Sequence, residues 1–149
     1  MTVALVRSIF AVATALSLTI VAHPALAVPD TEAALFGRCA GPARVTCVVD
    51  GDTIWYRGVK IRLADINAPE VSQPGCAAEA VLGERATRRL TELLNAGSFS
   101  LERDGRDSDR YGRKLRVITR HGASLGSTLE EEGLAEHWQG RRGNWCGAA

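Results

Sequence analysis

The sequence has almost no excess of charge and very little lysine. Its 149 residues carry 18 basic and 17 acidic side chains, so net charge gives no argument for nucleic-acid binding. Any basic surface would have to come from how the charges are arranged. Lys60 and Lys114 are the lysines, and the other basic residues are arginines. Arginine makes planar, bidentate contacts with phosphate that lysine cannot make. The arginine excess indicates either phosphate recognition or an arginine-rich genome.

The sequence has one long apolar run, and this run lies at the N-terminus. Arg7 precedes the apolar segment 9–22, and residues 25–27 form an A-x-A motif typical of a cleavage site. The run is short for a membrane span. We predict that residues 1–27 are a secretory signal peptide and that the protein is exported, to a periplasm or out of the cell. An uncleaved N-terminal anchor is the alternative. After cleavage we expect a monomer without stable membrane association.

The four cysteines include no C-x-x-C pair, which argues against a zinc site. An even number of cysteines in a small exported domain is typical of disulfide bonding, and four cysteines allow three pairings. Cys39 and Cys47 are close in sequence around a Gly-Pro turn, which favours a local bridge. Cys76 would then bind Cys146 and fix the C-terminal tail to the domain.

The rest of the chain has β-forming segments separated by short turns. The segments expected to form strands are 44–49, 53–56, 59–66, 98–102 and 114–119. Apolar residues recur at helical spacing over 76–94, and residues 127–130 match a capping box that would start a short helix ending at Gly133. The order predicts an α+β protein, a five-stranded OB-fold barrel with an inserted helix and a short C-terminal helix. The predicted division is a lead-in at 28–43, the domain at 44–138 and a tail at 139–149.

The first motif with chemistry is Asp50-Gly51-Asp52-Thr53, at the turn between the first two predicted strands. Two carboxylates two residues apart at a tight turn can face one hard cation with oxygen ligands. The same residues also make an ordinary hairpin turn, so this motif alone does not separate a metal site from a turn.

The second motif runs from Arg62 to Glu70, where an arginine lies on a strand that stops at a proline. Pro69 fixes its own φ angle and biases Ala68 towards an extended backbone. This would hold Glu70 in a fixed place at the edge of the barrel. A surface salt bridge between Arg62 and Glu70 is the alternative interpretation.

The third motif is Asp109-Arg110-Tyr111-Gly112-Arg113. Gly112 permits an unusual backbone angle beside an arginine that enters the next predicted strand. A lone pentapeptide of this kind means little, so its value depends on the other two motifs.

Taken in order, the three motifs resemble the signature of the staphylococcal-nuclease-like (thermonuclease) family. They match D-G-D-T, then R-L-x-x-I-(D/N)-x-P-E, then D-R-Y-G-R, with a predicted helix between the second and third. The resemblance covers residues 44–138 and implies an OB-fold enzyme that hydrolyses DNA and RNA with calcium. Such chemistry needs an activated water and donors for the charge that builds on the phosphoryl oxygens.

The resemblance also implies a role for individual residues, carried over by position. The residues implied to hold calcium are Asp52, Asn67 and the carbonyl of Ala68, with Asp50 supporting them from just outside. The residues implied to act on the substrate are Glu70 as general base, Arg62 and Arg113 as a clamp on the scissile phosphate, and Tyr111 and Arg110 as further substrate contacts.

Asn67 departs from the family pattern, which usually has aspartate at this position. An amide can still ligate through its oxygen, but it removes one negative charge from the site. Asp65 lies two residues earlier and is a candidate for compensation. The main rival hypothesis is a non-catalytic OB-fold module that binds nucleic acid and has a decayed metal site. Such a module should also have lost the base and the arginines. An exported structural or protein-binding domain is the second rival.

Overall fold

The fold is described here from a computed structural model, for residues 29–147 of the chain. The predicted signal peptide at 1–27 and its cleavage site before Val28 lie outside the described residues. Within residues 29–147, the helices are too short or too polar to cross a membrane.

Residues 29–147 form short strands and two helices, as an α+β protein. The strands are β1 (Gly37–Arg38), β2 (Cys47–Asp50), β3 (Thr53–Tyr56), β4 (Val59–Leu63), β5 (Ile66–Asn67), β6 (Ser100–Glu102), β7 (Lys114–Arg120), β8 (Ala123–Ser124) and β9 (Glu136–His137). The helices are α1 (Ala77–Asn95), which follows β5, and α2 (Leu125–Glu131), which follows β8. The five predicted strand segments overlap β2, β3, β4 with β5, β6 and β7, so the prediction of five strands omitted β1, β8 and β9. Both predicted helices are present.

The main sheet has the strand order β1-β2-β3-β4-β7-β6, with β8 also paired to β7. Strands β2, β3 and β4 form the antiparallel meander expected from their short connections. Strand pairing within the described residues does not close into a ring, because the path ends at β1 and β6. The N-terminal segment contacts both ends: β1 pairs with β2, and Glu32 exchanges two backbone hydrogen bonds with Phe99, just before β6. The expected barrel is therefore an open sheet whose end strands are linked through this segment.

The predicted strand at 59–66 is split in two. β4 ends at Leu63, the chain bends at Ala64 and Asp65, and β5 pairs antiparallel with β9 rather than with the main sheet. The bend is held by hydrogen bonds from the Arg62 guanidinium to the carbonyls of Leu63 and Ile66. A buried arginine within the predicted strand therefore ends it early and turns the chain towards its C-terminal segment.

Helix α2 begins earlier than its predicted capping box. It starts at Leu125, and the N-cap is Ser124, whose hydroxyl accepts a hydrogen bond from the backbone N–H of Ser127 at 3.2 Å. Ser124 has the extended backbone that a cap needs, whereas Ser127 is already helical. The prediction that the cap is Ser127 is therefore wrong. The helix ends at Glu131, and Gly133 follows with φ of 69°.

The core lies between the main sheet and the inner face of α1, which buries Ala86, Leu90 and Leu94. The lead-in adds Phe36 to this core, where its ring packs 6.0 Å from that of Phe99, centroid to centroid. The Asn95 side chain, at the end of α1, binds both the backbone N–H and the carbonyl of Phe36. The segment predicted as a lead-in is thus packed against the domain.

Two disulfides join the cysteines in the expected pairs. Cys39–Cys47 connects the residue after β1 to the first residue of β2. Cys76–Cys146 connects the N-cap of α1 to the C-terminal tail, across a sequence separation of 70 residues. The tail is therefore attached covalently to the end of α1 that lies next to the second motif.

Candidate active site

The three sequence motifs meet at one cleft of about 1030 Å³. Eight of the side chains expected at the site line it, namely Asp50, Asp52, Arg62, Asn67, Glu70, Arg110, Tyr111 and Arg113. Ala68, expected to offer its carbonyl, is buried beside the cleft and does not line it. Four further basic residues line the cleft, which are Lys60, Arg106, Arg141 and Arg142. A chain that is nearly neutral overall thus collects arginines around a small acidic centre.

The turn of the first motif is packed onto α1 and the second motif. A Cβ on Gly51 would lie 2.6 Å from the Cβ of Ala86 and 2.7 Å from that of Ala68, so this turn approaches α1 too closely for any side chain. The backbone N–H of Ala68 donates to Asp52 Oδ2 at 3.1 Å, and Asp52 Oδ1 accepts from the Thr53 hydroxyl at 2.8 Å. The motif is therefore both a turn and part of the site.

Negative charge is concentrated on this turn. Burial, and then the carboxylate of Asp52, raise the pKa of Asp50 to about 7, and Glu70 adds to the effect. Clustered acids without enough positive charge between them favour a bound cation. The nearby carboxylate and amide oxygens are the hard ligands that calcium prefers. No group of three or more His, Cys, Asp or Glu side chains suited to a metal occurs among residues 29–147. An ion here would therefore also need the amide of Asn67 and backbone oxygens.

Arg62 reaches the cleft from the end of β4. Its side chain is almost buried, with Nη2 lying 3.3 Å from Asp52 Oδ2 and the guanidinium 4.7 Å from the centre of the Trp138 ring. Its Nη1 donates to the carbonyl of Ile66 at 3.0 Å. Arg62 thus pairs with Asp52, and the alternative of a surface salt bridge with Glu70 is wrong.

Glu70 lies on a loop that packs against α1. A Cβ on Gly83 would lie 2.8 Å from the carbonyl oxygen of Pro69 and 2.9 Å from that of Glu70, so α1 packs directly against this loop. The Glu79 carboxylate accepts hydrogen bonds from the backbone N–H of Glu70 at 3.2 Å and of Gly75 at 2.6 Å. Pro69 is fully buried, as its role in fixing the loop requires.

The side chain of Glu70 carries an ion pair with the tail. Arg142 Nη2 lies 2.7 Å from Glu70 Oε1, and the Arg142 side chain is otherwise largely exposed. The Cys76–Cys146 bridge keeps the tail near this loop. Arg142 and Glu79 were both missed by sequence reasoning, because neither belongs to a motif and each reaches Glu70 through the fold.

The third motif holds Arg113 through Asp109. Asp109 Oδ2 accepts from Arg113 Nε at 2.7 Å, and Oδ1 accepts from the backbone N–H groups of Tyr111 and Arg113 at 2.9 and 3.0 Å. Gly112 has φ of 76°, the unusual angle expected for it. Within residues 29–147, no hydrogen bond uses the two terminal nitrogens of Arg113, which lines the cleft. These donors are available to an anion.

Tyr111 is 67% exposed and lies at the rim of the cleft. The Arg110 guanidinium stands 4.8 Å and that of Arg113 5.5 Å from the centre of its ring. Arg110 Nη2 also donates to the Tyr111 hydroxyl at 2.6 Å. An exposed aromatic ring flanked by guanidiniums is a surface on which a base or a sugar-phosphate can lie.

Asn67 lines the cleft, and its side chain faces that of Glu136 on β9. Asn67 Nδ2 donates to Glu136 Oε1 at 3.0 Å. Asp65, the candidate for compensation, does not line the cleft. Its Oδ2 accepts from the Ser124 hydroxyl, in the direction of α2. Glu136 was missed because a strand pair that joins residues so far apart in the sequence leaves no local signal.

Several known proteins are similar to this chain over part of its length. The family model described as "Staphylococcal nuclease homologue" matches residues 60–145. Endonuclease YncB of Bacillus subtilis (strain 168) is 40% identical over 92 residues, which are 58% of this chain and 43% of that protein. The SPbeta prophage-derived endonuclease YokF of the same organism is 41% identical over 92 residues, 58% of this chain and 31% of that one.

A micrococcal nuclease of Shigella flexneri is 36% identical over 78 residues, which are 50% of this chain and 40% of that protein. The chain thus spans less than half the length of each of these three relatives. The match of the family model covers more than half of this chain and includes the second and third motifs, whose residues meet at the cleft. The chain belongs to the staphylococcal nuclease homologue family.

Proposed function

We propose that this protein is a metal-dependent nuclease that hydrolyses phosphodiester bonds of DNA, RNA or both. The observation that carries the proposal is that Arg62, Glu70 and Arg113 reach one cleft from three separate parts of the chain, beside the acidic turn. Family membership and relatives named as endonucleases and as a micrococcal nuclease support the same activity.

The residues that would hold the metal are Asp52, Asn67 and the carbonyl of Ala68, with Asp50 adding charge from just outside. Their oxygens favour calcium, and we propose calcium as the ion. When bound, calcium would neutralise charge on the phosphate and favour the ionised form of a nearby water.

Glu70 would accept the proton of the attacking water. Its backbone N–H is held by Glu79, and its loop packs against Gly83 of α1, so the backbone that carries the carboxylate is fixed. The salt bridge to Arg142 occupies one oxygen of Glu70. A phosphate in the cleft would offer Arg142 another partner and release that oxygen for the water.

Arg113 and Arg62 would bind the phosphoryl oxygens as charge builds on them. Asp109 fixes Arg113 through Nε and leaves its terminal N–H groups for a bidentate contact. Arg62 lines the same cleft, held by the Trp138 ring and by the carbonyl of Ile66. Tyr111 and Arg110 would contact the neighbouring nucleotide.

We further propose that the protein is exported after removal of residues 1–27, and that it acts as a monomer with an OB-fold, without stable membrane association. The two disulfides support an oxidising compartment. The rival function is a non-catalytic nucleic-acid-binding module, which Asn67 alone favours. A module of that kind would have no use for a fixed carboxylate beside the phosphate-binding arginines.

The decisive experiment incubates the purified chain from Val28 with plasmid DNA and with RNA, in calcium, in other divalent ions and in a chelator. Glu70→Gln should lose activity by about 10²-fold or more, the size typical of a general base. Glu131→Gln is the matched control, because Glu131 is an exposed acid on α2. Cleavage by Glu70→Gln at the wild-type rate would refute the assigned base. Binding without cleavage under every condition would favour the rival module.

A further inference from the structure

Asn67 and Glu136 lie directly opposite each other in the short antiparallel ladder of β5 and β9. Residues in direct register on neighbouring strands project to the same face of a sheet, with their side chains in contact. The hydrogen bond from Asn67 Nδ2 to Glu136 Oε1, at 3.0 Å, is this cross-strand contact. The amide at position 67 is therefore matched to an acid on the opposing strand.

The partner determines which way the amide of Asn67 faces. An ionised carboxylate only accepts hydrogen bonds, so the end of the amide that meets Glu136 must be the NH₂ group. Oδ1 is then turned away from Glu136. Among residues 29–147, no hydrogen bond uses Asn67 Oδ1, and the side chain lines the cleft. Oδ1 is thus the end left for a cation in the cleft.

Glu136 has no basic partner within residues 29–147, where the salt bridges involve other acids. Its carboxylate lies close to the C-terminal tail. The tail crosses it at Gly143, where any Cβ would overlap both carboxylate oxygens. The result is a half-buried negative charge, separated from the cleft by one amide side chain.

We propose that Glu136 is a positioning residue of the cation site, which orients the Asn67 amide and supplies the negative charge that Asn67 itself lacks. This inference rests on the metal site of the proposed function. An aspartate at position 67 would stand directly opposite Glu136, and like charges directly opposite each other destabilise a sheet. One acid per strand pair is therefore the stable arrangement. In this chain the acid lies on β9 and the amide on β5.

The test combines Glu136→Gln, Asn67→Asp and the double variant, with Glu131→Gln as the control for loss of one exposed negative charge. Calcium binding is measured by titration calorimetry, and the melting temperature is measured in chelator. The new glutamine side chain can still accept a hydrogen bond from Asn67, so Glu136→Gln removes the charge and keeps the amide in place. It should weaken calcium binding about tenfold, the effect of one charge on a divalent cation several ångströms away in a wet cleft. The control should change it less than about twofold, because exposed charges are screened.

The melting temperatures provide a readout that does not involve metal. Asn67→Asp should lower the melting temperature of the metal-free protein by a few degrees, because two carboxylates then face each other. In the Asn67→Asp background, Glu136→Gln should raise the melting temperature again. In the wild-type background, Glu136→Gln should not raise it. The double variant should bind calcium at least as tightly as the wild type, since the charge has moved onto the ligand itself.

The proposal is overturned if Glu136→Gln leaves calcium affinity within the range of the control, or if its effect on melting has the same sign in both backgrounds. A wild-type protein that binds no calcium would overturn it as well. Calcium binding with the predicted pattern, but without cleavage of any nucleic acid, would support this inference and refute the proposed nuclease function.

Discussion

Replacing Gly83 with alanine should lower the rate of cleavage much more than it lowers stability. Gly83 is on α1, and an added Cβ would lie 2.8 Å from the carbonyl oxygen of Pro69, 2.9 Å from that of Glu70 and 3.1 Å from Val71 Cγ2. The first two distances are shorter than Cβ atoms tolerate, and both neighbours are backbone atoms that cannot rotate away. Either the helix or the loop that carries Glu70 must therefore move.

Two opposing effects determine the change in stability. Alanine inside a helix is favoured over glycine by about 1 kcal/mol. Overpacking at a close contact costs roughly 1–3 kcal/mol. We therefore expect a free energy of unfolding between the wild-type value and about 2 kcal/mol below it. The effect on cleavage should be much larger, because a shift of about 1 Å in a reacting group can cost about 10²-fold in rate.

Urea denaturation followed by tryptophan fluorescence gives the stability, and initial rates on DNA or RNA give the activity. Gly37→Ala is the matched control, because nothing lies within 4 Å of its added Cβ and Gly37 does not have positive φ. It should leave both quantities close to wild type. A Gly83→Ala protein that is more stable than wild type and cuts at the full rate would refute the close packing of α1 against the Glu70 loop.

Three further predictions concern the clamp, the disulfides and the acid limit of stability. Arg113→Lys should keep the charge but lose both the contact with Asp109 and bidentate donation to the phosphate. Cleavage should therefore fall about 10²-fold, while the melting temperature stays similar. Turnover at the wild-type rate would rule out Arg113 as a clamp on the phosphate. Replacing Cys76 and Cys146 by serine should lower the free energy of unfolding by about 4 kcal/mol, against about 2.5 kcal/mol for the Cys39–Cys47 pair, because the bridges close loops of 70 and 8 residues. Equal losses of stability in urea denaturation would contradict this entropic account. Hydrogen bonds from Lys114 and Arg116 lower the pKa of Asp107 from 3.8 to about 2, so its contribution to stability is present above pH 4 and is lost as the pH falls towards 2. Asp107→Asn should therefore reduce the fall in melting temperature between pH 4 and pH 2. An unchanged pH dependence of the melting temperature would contradict this prediction.

Much of the site could be predicted because its chemistry lies in local motifs. Asp52 and Ala68 belong to different motifs, yet each motif could be recognised from its own letters, and the fold joins them by one hydrogen bond. The special angle of Gly112 could be anticipated for the same reason. The fold order was also predictable, since short turns between β-forming segments leave few topologies.

The partners of these residues could not be predicted, because they depend on contacts between distant parts of the chain. Sequence proximity suggested Glu70 as the partner of Arg62, but the fold pairs Arg62 with Asp52 and Glu70 with Arg142. The local pattern suggested Ser127 as the cap of α2, but the cap is Ser124, which also donates a hydrogen bond to the distant Asp65. The link between the two end strands of the open sheet likewise depends on where the N-terminal segment lies, which no local pattern encodes.

The arrangement of charge answers the question that the neutral composition left open. The cleft is lined by seven basic side chains and five acidic ones, and the bases come from the end of the meander, the loop before β7 and the C-terminal tail. The tail contributes Arg141 and Arg142, and the Cys76–Cys146 bridge links it to the N-cap of α1. Loss of that bridge should therefore reduce affinity for a polyanion as well as stability. The affinity should also fall less steeply with salt, because fewer phosphates would be neutralised. A serine variant of both cysteines that stays folded and keeps the wild-type salt dependence of binding would show that the tail arginines take no part in holding the substrate.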